Sequence, residues 1–414
     1  MTVEVGILNK HGIALASDSA VTIGNGIGYY NSANKLFELT KGNPVGIMIY
    51  NNSFFMGCPV EIIVKEYRKR IGIKKFDTLR EYWNDFMNFL KEFVIEYNIN
   101  VKEYLLYVMC DYLEDMDTLI KNTIDDFIKE IEENDDINFN NSNEYEIMIN
   151  SRIEKAISEF REFIEGFPDD DEFMSIKERI IDEINEDLLE KLDLIIEFKL
   201  EESVKEIIIN TCYGLITKKI YNPASTGFVV AGYGDKEIYP QIIAAEISGC
   251  YFGNLKTGKI VEEEIDDRNM AAIIPFAQDD VIKTFMNGMD YSFMDKINKV
   301  IMNNESICKL DIDESCRKSI LNDIDKEFGK FSYNKHWGPM INTVASSPKE
   351  ELSLMAETLV NLTSFRRKMN MDEMSQTVGG PIDVAIISKG DGFIWIKRKQ
   401  YFDKDINYRY LQRT

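Results

Sequence analysis

Histidine is almost absent from this sequence: His11 and His336 are the only two among 414 residues. That scarcity sets aside HExxH zinc sites, multi-histidine metal centres and histidine-based triads. His11 precedes Gly12 in turn-like sequence and His336 stands beside Trp337 in an expected loop, so both read as structural residues. Cysteine is sparse as well. Cys58, Cys110, Cys212, Cys250, Cys308 and Cys316 show no CxxC spacing and sit in apolar or mixed stretches, a pattern that fits buried free thiols in a reducing cytosol rather than a disulfide framework. No run approaches the roughly 18 apolar residues that span a bilayer, and no basic segment precedes an apolar run at the start. A cytoplasmic protein that avoids membranes is expected. Positive charge is in deficit, with 48 Lys and Arg against 71 Asp and Glu and a net charge of −23. A phosphate backbone is repelled by such a chain, which argues against nucleic acid as a main partner.

What is present suffices for a folded interior, since 44% hydrophobic residues can fill one large core or two smaller ones without metal or disulfide. The first fifty residues are rich in strand signals. Val3, Val5 and Ile7 alternate with Glu4 and Gly6, Asn9-Lys10-His11-Gly12 supplies turn chemistry, and Ile13 to Ala16 runs back. A further strand is expected over Val45 to Tyr50, and Pro59 suits the first turn of a helix carrying Ile62, Ile63, Tyr67 and Ile71. From about residue 77 to 220 the spacing becomes helical, with amphipathic stretches at Leu79 to Tyr97, Tyr145 to Phe163 and Met174 to Leu200. Acidic interruptions at Asn134-Asp135-Asp136 and Pro168-Asp169-Asp170-Asp171 read as exposed connections. Strand character returns at Thr226 to Gly234, at Gln241 to Ile247 and at Cys250 to Phe252. Helical spacing follows over 278–302, 311–329 and 349–369, and Ile382 to Ile387 with Phe393 to Ile396 across Gly390-Asp391-Gly392 forms a closing hairpin. This order suits two stacked sheets with helices on their outer faces.

Gly253-Asn254-Leu255-Lys256-Thr257-Gly258-Lys259-Ile260 nearly matches a phosphate-binding loop, but Ile260 stands where the metal-binding Ser or Thr belongs and an acidic run follows. It reads as strand, glycine turn and strand. The methionines and aromatics in the helices are core material.

Thr2 is the residue with distinctive chemistry. If Met1 is trimmed, Thr2 carries a free amine and a hydroxyl together. An α-amine of unperturbed pKa about 8 can accept the hydroxyl proton directly or through water, so a threonine nucleophile needs no histidine.

The segments Gly12-Ile13-Ala14-Leu15-Ala16-Ser17-Asp18-Ser19 and Asn34-Lys35-Leu36-Phe37-Glu38-Leu39 make the chain resemble proteasome β-type subunits and their bacterial relatives among the N-terminal nucleophile (Ntn) hydrolases. Val230 to Gly234, Tyr239-Pro240-Gln241 and Gly379-Gly380-Pro381-Ile382-Asp383-Val384 extend the likeness, while 96–210 and 298–348 have no counterpart in it. The resemblance implies that Asp18, 16 positions after Thr2, holds the ammonium of Lys35, that this ammonium stabilises the Thr2 alkoxide, and that the backbone N–H of Asn51 faces an oxyanion where the family has glycine. It also implies an α+β fold, a four-layer αββα sandwich of the Ntn-hydrolase type with an inserted all-helical subdomain. Residues 1–95, 211–297 and 349–414 form the sandwich, 96–210 the helical insertion and 298–348 a second insertion. Departures occur at Gln278, Ser375 and Val378, where family members place parts of an accessory proton network.

The resemblance implies a threonine-dependent hydrolase cutting amide bonds in peptides or proteins, working without metal or organic cofactor. It further implies a homo-oligomer and leaves room for an ATP-driven unfoldase as partner. A catalytically inactive scaffold and a small-molecule amidohydrolase on the same fold stay open as alternatives.

Overall fold

The computed structural model describes residues 2–23, 28–133, 142–222, 225–303, 314–369, 379–400, 402–403 and 405–407. Met1, the run at 134–136, Cys308, Ser375 and Val378 lie outside the described residues.

The chain opens with the hairpin β1 (Val3–Asn9) and β2 (Gly12–Ser17), then a small hairpin β3 (Val21–Ile23) and β4 (Gly28–Tyr30). The strands β5 (Leu36–Glu38) and β6 (Val45–Asn51) follow, with the short pair β7 (Phe54–Phe55) and β8 (Cys58–Pro59) leading into α1 (Val60–Ile71). Pro59 takes the position before the first helical residue rather than lying within the first turn, and Gly72 ends the helix at φ +54°. The next helix, α2 (Leu79–Glu96), begins with a capping box. Thr78 Oγ1 accepts from the Glu81 N–H at 3.3 Å, and Glu81 Oε2 accepts from the Thr78 N–H at 3.1 Å.

A helical block comes next: α3 (Val101–Glu133), α4 (Ser142–Glu165), the short α5 (Asp171–Ser175), α6 (Lys177–Ile195) and α7 (Glu202–Thr217). The single helix expected from Met174 to Leu200 is broken at Ile176 and stops at Ile195. Strands resume with β9 (Thr226–Gly232), β10 (Gln241–Tyr251), β11 (Asn254–Thr257), β12 (Val261–Glu264) and β13 (Ala271–Ala277). The expected strands at 241–247 and 250–252 are one strand whose register against β11 shifts between Ile247 and Gly249. In the near phosphate-binding loop Gly253 closes the turn after β10, Asn254–Thr257 is β11, and residues 258–260 lead into β12. β13 carries Pro275 inside an apolar run, and it lies at a sheet edge where proline's missing N–H is tolerated. The C-terminal third holds α8 (Asp280–Asn287), α9 (Tyr291–Asn303), α10 (Glu314–Ser332), α11 (Gly338–Ser346) and α12 (Lys349–Met369), closing with β14 (Asp383–Ser388) and β15 (Gly392–Lys397). His336 is not in a loop. It sits in a π-helical turn over Tyr333–Trp337 that links α10 to α11, with its ring against Gly288.

The result is a mixed α/β chain with antiparallel sheets. One sheet runs β13-β1-β2-β14-β15, and the other β11-β10-β9-β6-β5 with β12 also on β10. Both β1 and β2 are buried from end to end, because each of their faces meets another layer. Val3, Val5, Ile7, Ala14 and Ala16 pack against α8, α11 and α12 through Ile282, Val344, Leu352, Ala356 and Val360. On the opposite face Leu8, Ile13, Leu15, Ala385 and Ile387 meet Met48, Val229, Ala231, Ile242 and Ala244 of the other sheet. Gly6 permits this approach: a Cβ there would stand 2.7 Å from Ile242 Cδ1. The outer face of the second sheet, with Ile47, Phe228, Val230 and Ile243, is covered by α1 and α2 through Val64, Tyr67, Phe86 and Leu90.

The helical block has an interior of its own. Leu105, Met109, Leu113, Ile153, Ile184, Leu188, Ile208 and Cys212 cluster together, and Tyr251 reaches into them from β10. Cys250 is buried like Cys212, Cys58 and Cys110 are half-buried, and Cys316 is exposed, so the expectation of buried thiols holds for only part of the set.

Candidate functional site

Strand parity places the first part of the site. Val3, Val5 and Ile7 face the helices, so Thr2, Glu4, Gly6 and Leu8 face the second sheet. Glu4, Ser17 and Asp383 are directly opposite one another on β1, β2 and β14, forming a polar row at one end of the inter-sheet layer. The second sheet supplies Lys35, which immediately precedes β5, and Asn51, which ends β6.

These elements bring the four expected site residues together. Thr2 is 2% exposed. Its Oγ1 accepts from the Asn51 N–H at 3.4 Å, and its carbonyl accepts from the Gln278 N–H at 3.3 Å. Asp18 holds Lys35 Nζ at 2.5 Å through Oδ1, which also accepts from the Val3 N–H at 3.3 Å. Asp18 Oδ2 accepts from the Gly379 N–H at 3.0 Å, and the Ser19 N–H donates to the Gly379 carbonyl at 3.3 Å. The Gly379-Gly380-Pro381 segment thus fastens the Asp18 loop. Lys35 is fixed from its backbone too, its carbonyl accepting from the Ile49 N–H at 2.8 Å. The site therefore has a hydroxyl, a backbone donor aimed at it and an ammonium held by a carboxylate.

The backbone around Thr2 departs from ordinary strand geometry on both sides. Asn51 has φ +62° and Ala277, opposite Val3, has φ +59°. Asparagine enters the left-handed region readily, so Asn51 can occupy a position suited to glycine. Alanine does so less easily, and such outliers persist only where the surroundings over-determine them.

Two carboxylates were not foreseen. Glu4 reads from sequence as the polar half of an alternating strand, yet it is fully buried, with Oε1 3.3 Å from Lys35 Nζ. Burial pushes its pKa up to about 8; Lys35 pulls the other way and the negative Asp18 adds to the rise. Parity with Thr2 was the available signal. Glu246 on β10 accepts from the Asn51 side-chain amide at 3.2 Å and from the Ser225 hydroxyl at 3.0 Å, which steadies the residue whose N–H meets Thr2. Tyr50, between these carboxylates, has its phenol pKa raised by burial and then by Glu246 and Glu4.

No family model and no curated protein matches the chain. Solved structures that align with it include Anbu proteins. The Anbu (Gly-1) mutant from Hyphomicrobium sp. strain MC1 shares 10% identity at a TM-score of 0.30, covering 100% of this chain and 93% of its own. The structure titled as the helical assembly of the Anbu complex from Pseudomonas aeruginosa shares 9% at 0.34, covering 99% and 92%. Anbu (ancestral beta-subunit) from Yersinia bercovieri shares 9% at 0.27, covering 99% and 93%. The resemblance to proteasome β-type subunits read from the sequence is accordingly corrected: no family model supports it, and the structures that align include Anbu proteins. At these scores the likeness carries no weight for the chemistry of this chain.

Among the described residues, no group of three or more His, Cys, Asp or Glu side chains is arranged to hold a metal ion, and no helix is long and apolar enough to cross a membrane.

Proposed function

We propose that the chain is an Ntn-type hydrolase that cuts amide bonds with Thr2 as nucleophile once Met1 is removed. The observation that carries this reading is the convergence from two sheets of the Thr2 hydroxyl, the Asn51 N–H and the Lys35–Asp18 pair in one buried site. In this reading the paired sheets and their flanking helices form a four-layer αββα sandwich, and residues 96–210 are a helical subdomain inserted into it. The separate apolar interior of the helical block supports that division.

The chemistry follows from the charges. Thr2 Oγ1 attacks the amide carbon, its proton passes to a base, and the carbonyl π electrons move to oxygen. The Asn51 N–H meets the oxyanion, and the Lys35 ammonium favours the alkoxide over the hydroxyl. Collapse breaks the C–N bond as the amine takes a proton, and water then hydrolyses the Thr2 ester. The α-amine of trimmed Thr2 is one base for this cycle. A peptide or protein is the substrate class, and a homo-oligomer the assembly, under this reading.

The test is covalent labelling of Thr2 by a β-lactone electrophile, located by peptide mass, with intact mass reporting Met1 removal and Thr2→Ala as blank. A Thr2 adduct on trimmed chains is expected. Labelling that persists in Thr2→Ala, or an active preparation composed only of Met1-started chains, overturns the assignment.

A further inference from the structure

Lys35 serves two carboxyl groups. Asp18 takes the short contact at 2.5 Å and is further held by the backbone N–H groups of Val3 and Gly379. Glu4 is left with a 3.3 Å ion contact, and neither of its oxygens makes a well-aligned hydrogen bond among the described residues. One ammonium neutralises one carboxylate, so Glu4 is the surplus carboxyl in a buried site, where burial favours its protonated form.

The groups facing Glu4 come from several elements. Thr2 shares its strand face, and its hydroxyl is near enough to favour the charged carboxylate. Asp18 follows β2, Lys35 precedes β5, and Tyr50 approaches from β6. Ser17 stands directly opposite on β2, and beyond it on β14 Asp383 is engaged by Lys399. Phe276 is opposite on β13 and gives an apolar wall. A buried carboxyl whose cation is shared with Asp18, beside the hydroxyl that must lose a proton, is arranged to change its own protonation state. Its pKa near 8 matches that work, since proton transfer is most efficient when the carrier titrates near the operating pH.

We propose that Glu4 is a catalytic carboxyl of the Thr2 site, accepting the hydroxyl proton as Thr2 attacks and handing it to the departing amine. This rests on the reading of Thr2 as nucleophile. In the first step the Oγ–C bond forms, the carbonyl π pair moves to oxygen, and the Thr2 proton moves to the Glu4 carboxylate. In the second the oxyanion pair re-forms the carbonyl, the C–N bond breaks, and the Glu4 proton goes to nitrogen. Water then attacks the Thr2 ester while giving its proton to Glu4, and that proton returns to Thr2 Oγ as the alcohol leaves. Lys35 remains an ammonium throughout, and the trimmed α-amine is left as an auxiliary acceptor.

The experiment compares the parent with Glu4→Gln, an isosteric change that removes the titratable proton carrier. Amide and ester substrates with the same acyl group are measured on trimmed protein, alongside Thr2 labelling and thermal melts. An amide leaving group requires a proton and an activated ester does not. Glu4→Gln should lower amide turnover by about 10²-fold or more, lower ester turnover less, and leave the melt unchanged or higher. Rates for both substrates within threefold of the parent overturn the proposal. So does an equal fall in both, whatever the melt, because a carboxyl that only positions Lys35 does not distinguish the leaving groups. Should the parent give no Thr2 adduct, the nucleophile reading itself fails, an outcome visible without the variant.

Discussion

Lys35 and Lys256 are both buried, and the difference between their surroundings separates a fastening from a site. Lys256 on β11 lies 3.0 Å from Asp170, donates to the Lys218 carbonyl and covers the Phe173 ring at 4.7 Å. Those partners belong to the helical block and its margins, so the pair pins that block to the second sheet. Burial lowers the Lys256 pKa and Asp170 resists the change. One cation meets one anion there, and the Asp170 side chain keeps 16% exposure, so water can complete its shell. Lys35 instead sits between two carboxyl groups whose side chains have no exposure. In the matched pair one charge offsets the other. A surplus carboxyl in a dry site must hold a proton or lose one, and that is chemistry.

The comparison is broken most severely by Lys35→Ala, which leaves two buried carboxyl groups without their shared cation. Thr2 labelling should fall about 10²-fold to 10³-fold, with a stability loss on the order of 3–5 kcal/mol. Lys35→Arg should not fully restore the rate, because the planar guanidinium is larger and aims its donors differently. Normal labelling in a folded Lys35→Ala variant would remove Lys35 from the chemistry.

Lys256→Ala should cost stability of a similar kind but smaller, about 3 kcal/mol, because Asp170 can rehydrate. Thr2 labelling should stay at the parent rate, with hydrogen exchange rising first around Asp171–Ser175. A parallel loss of labelling would couple the seam to the site and end the distinction.

The smallest expected effect is in the pH dependence of stability. Below about 4.5 the folded and unfolded chains both hold the Glu4 proton; from there to about 8 only the folded chain does. The unfolded chain then binds fewer protons, so this group's contribution falls as pH rises through that window and levels off above it. Denaturant melts of the parent and Glu4→Gln should therefore diverge in favour of the variant between these limits. A pH-independent difference would mean that Glu4 is ionised from low pH upward.

Secondary structure was legible where one residue pattern served one environment. The hairpin β1–β2 follows from alternation and its Asn9 to Gly12 turn, and α2 from the amphipathic spacing of Leu79 to Tyr97. The strand β13 is absent from the strands expected from the sequence; Pro275 interrupts its apolar run, and only its edge position in the finished sheet makes it acceptable. His336 reads as a loop residue in the sequence, because the π-helical turn it occupies has no residue signature in Tyr333–Trp337. Within the site, Thr2 stood out through the chemistry of a threonine that can carry a free amine, and Asp18, Lys35 and Asn51 through their resemblance to a family pattern. Glu4 and Glu246 carried no such mark.

Composition and order by themselves determined that this chain builds strand-rich segments around a long helical stretch, and that any catalyst in it works without paired histidines. They also determined the parity that puts Glu4 on the face of Thr2. Whether that face meets solvent or a second sheet is not encoded in a period of two, which distinguishes sides of a strand but not what lies beyond them. The tertiary structure decided it by laying β6 and β10 over β1, closing the layer with Ile242 against Gly6 and carrying Lys35 between Asp18 and Glu4. A carboxyl that would have been an ordinary solvated acid on an open strand becomes, in that enclosed layer, a group that titrates near neutral pH, because desolvation opposes its charge more strongly than one shared ammonium supports it.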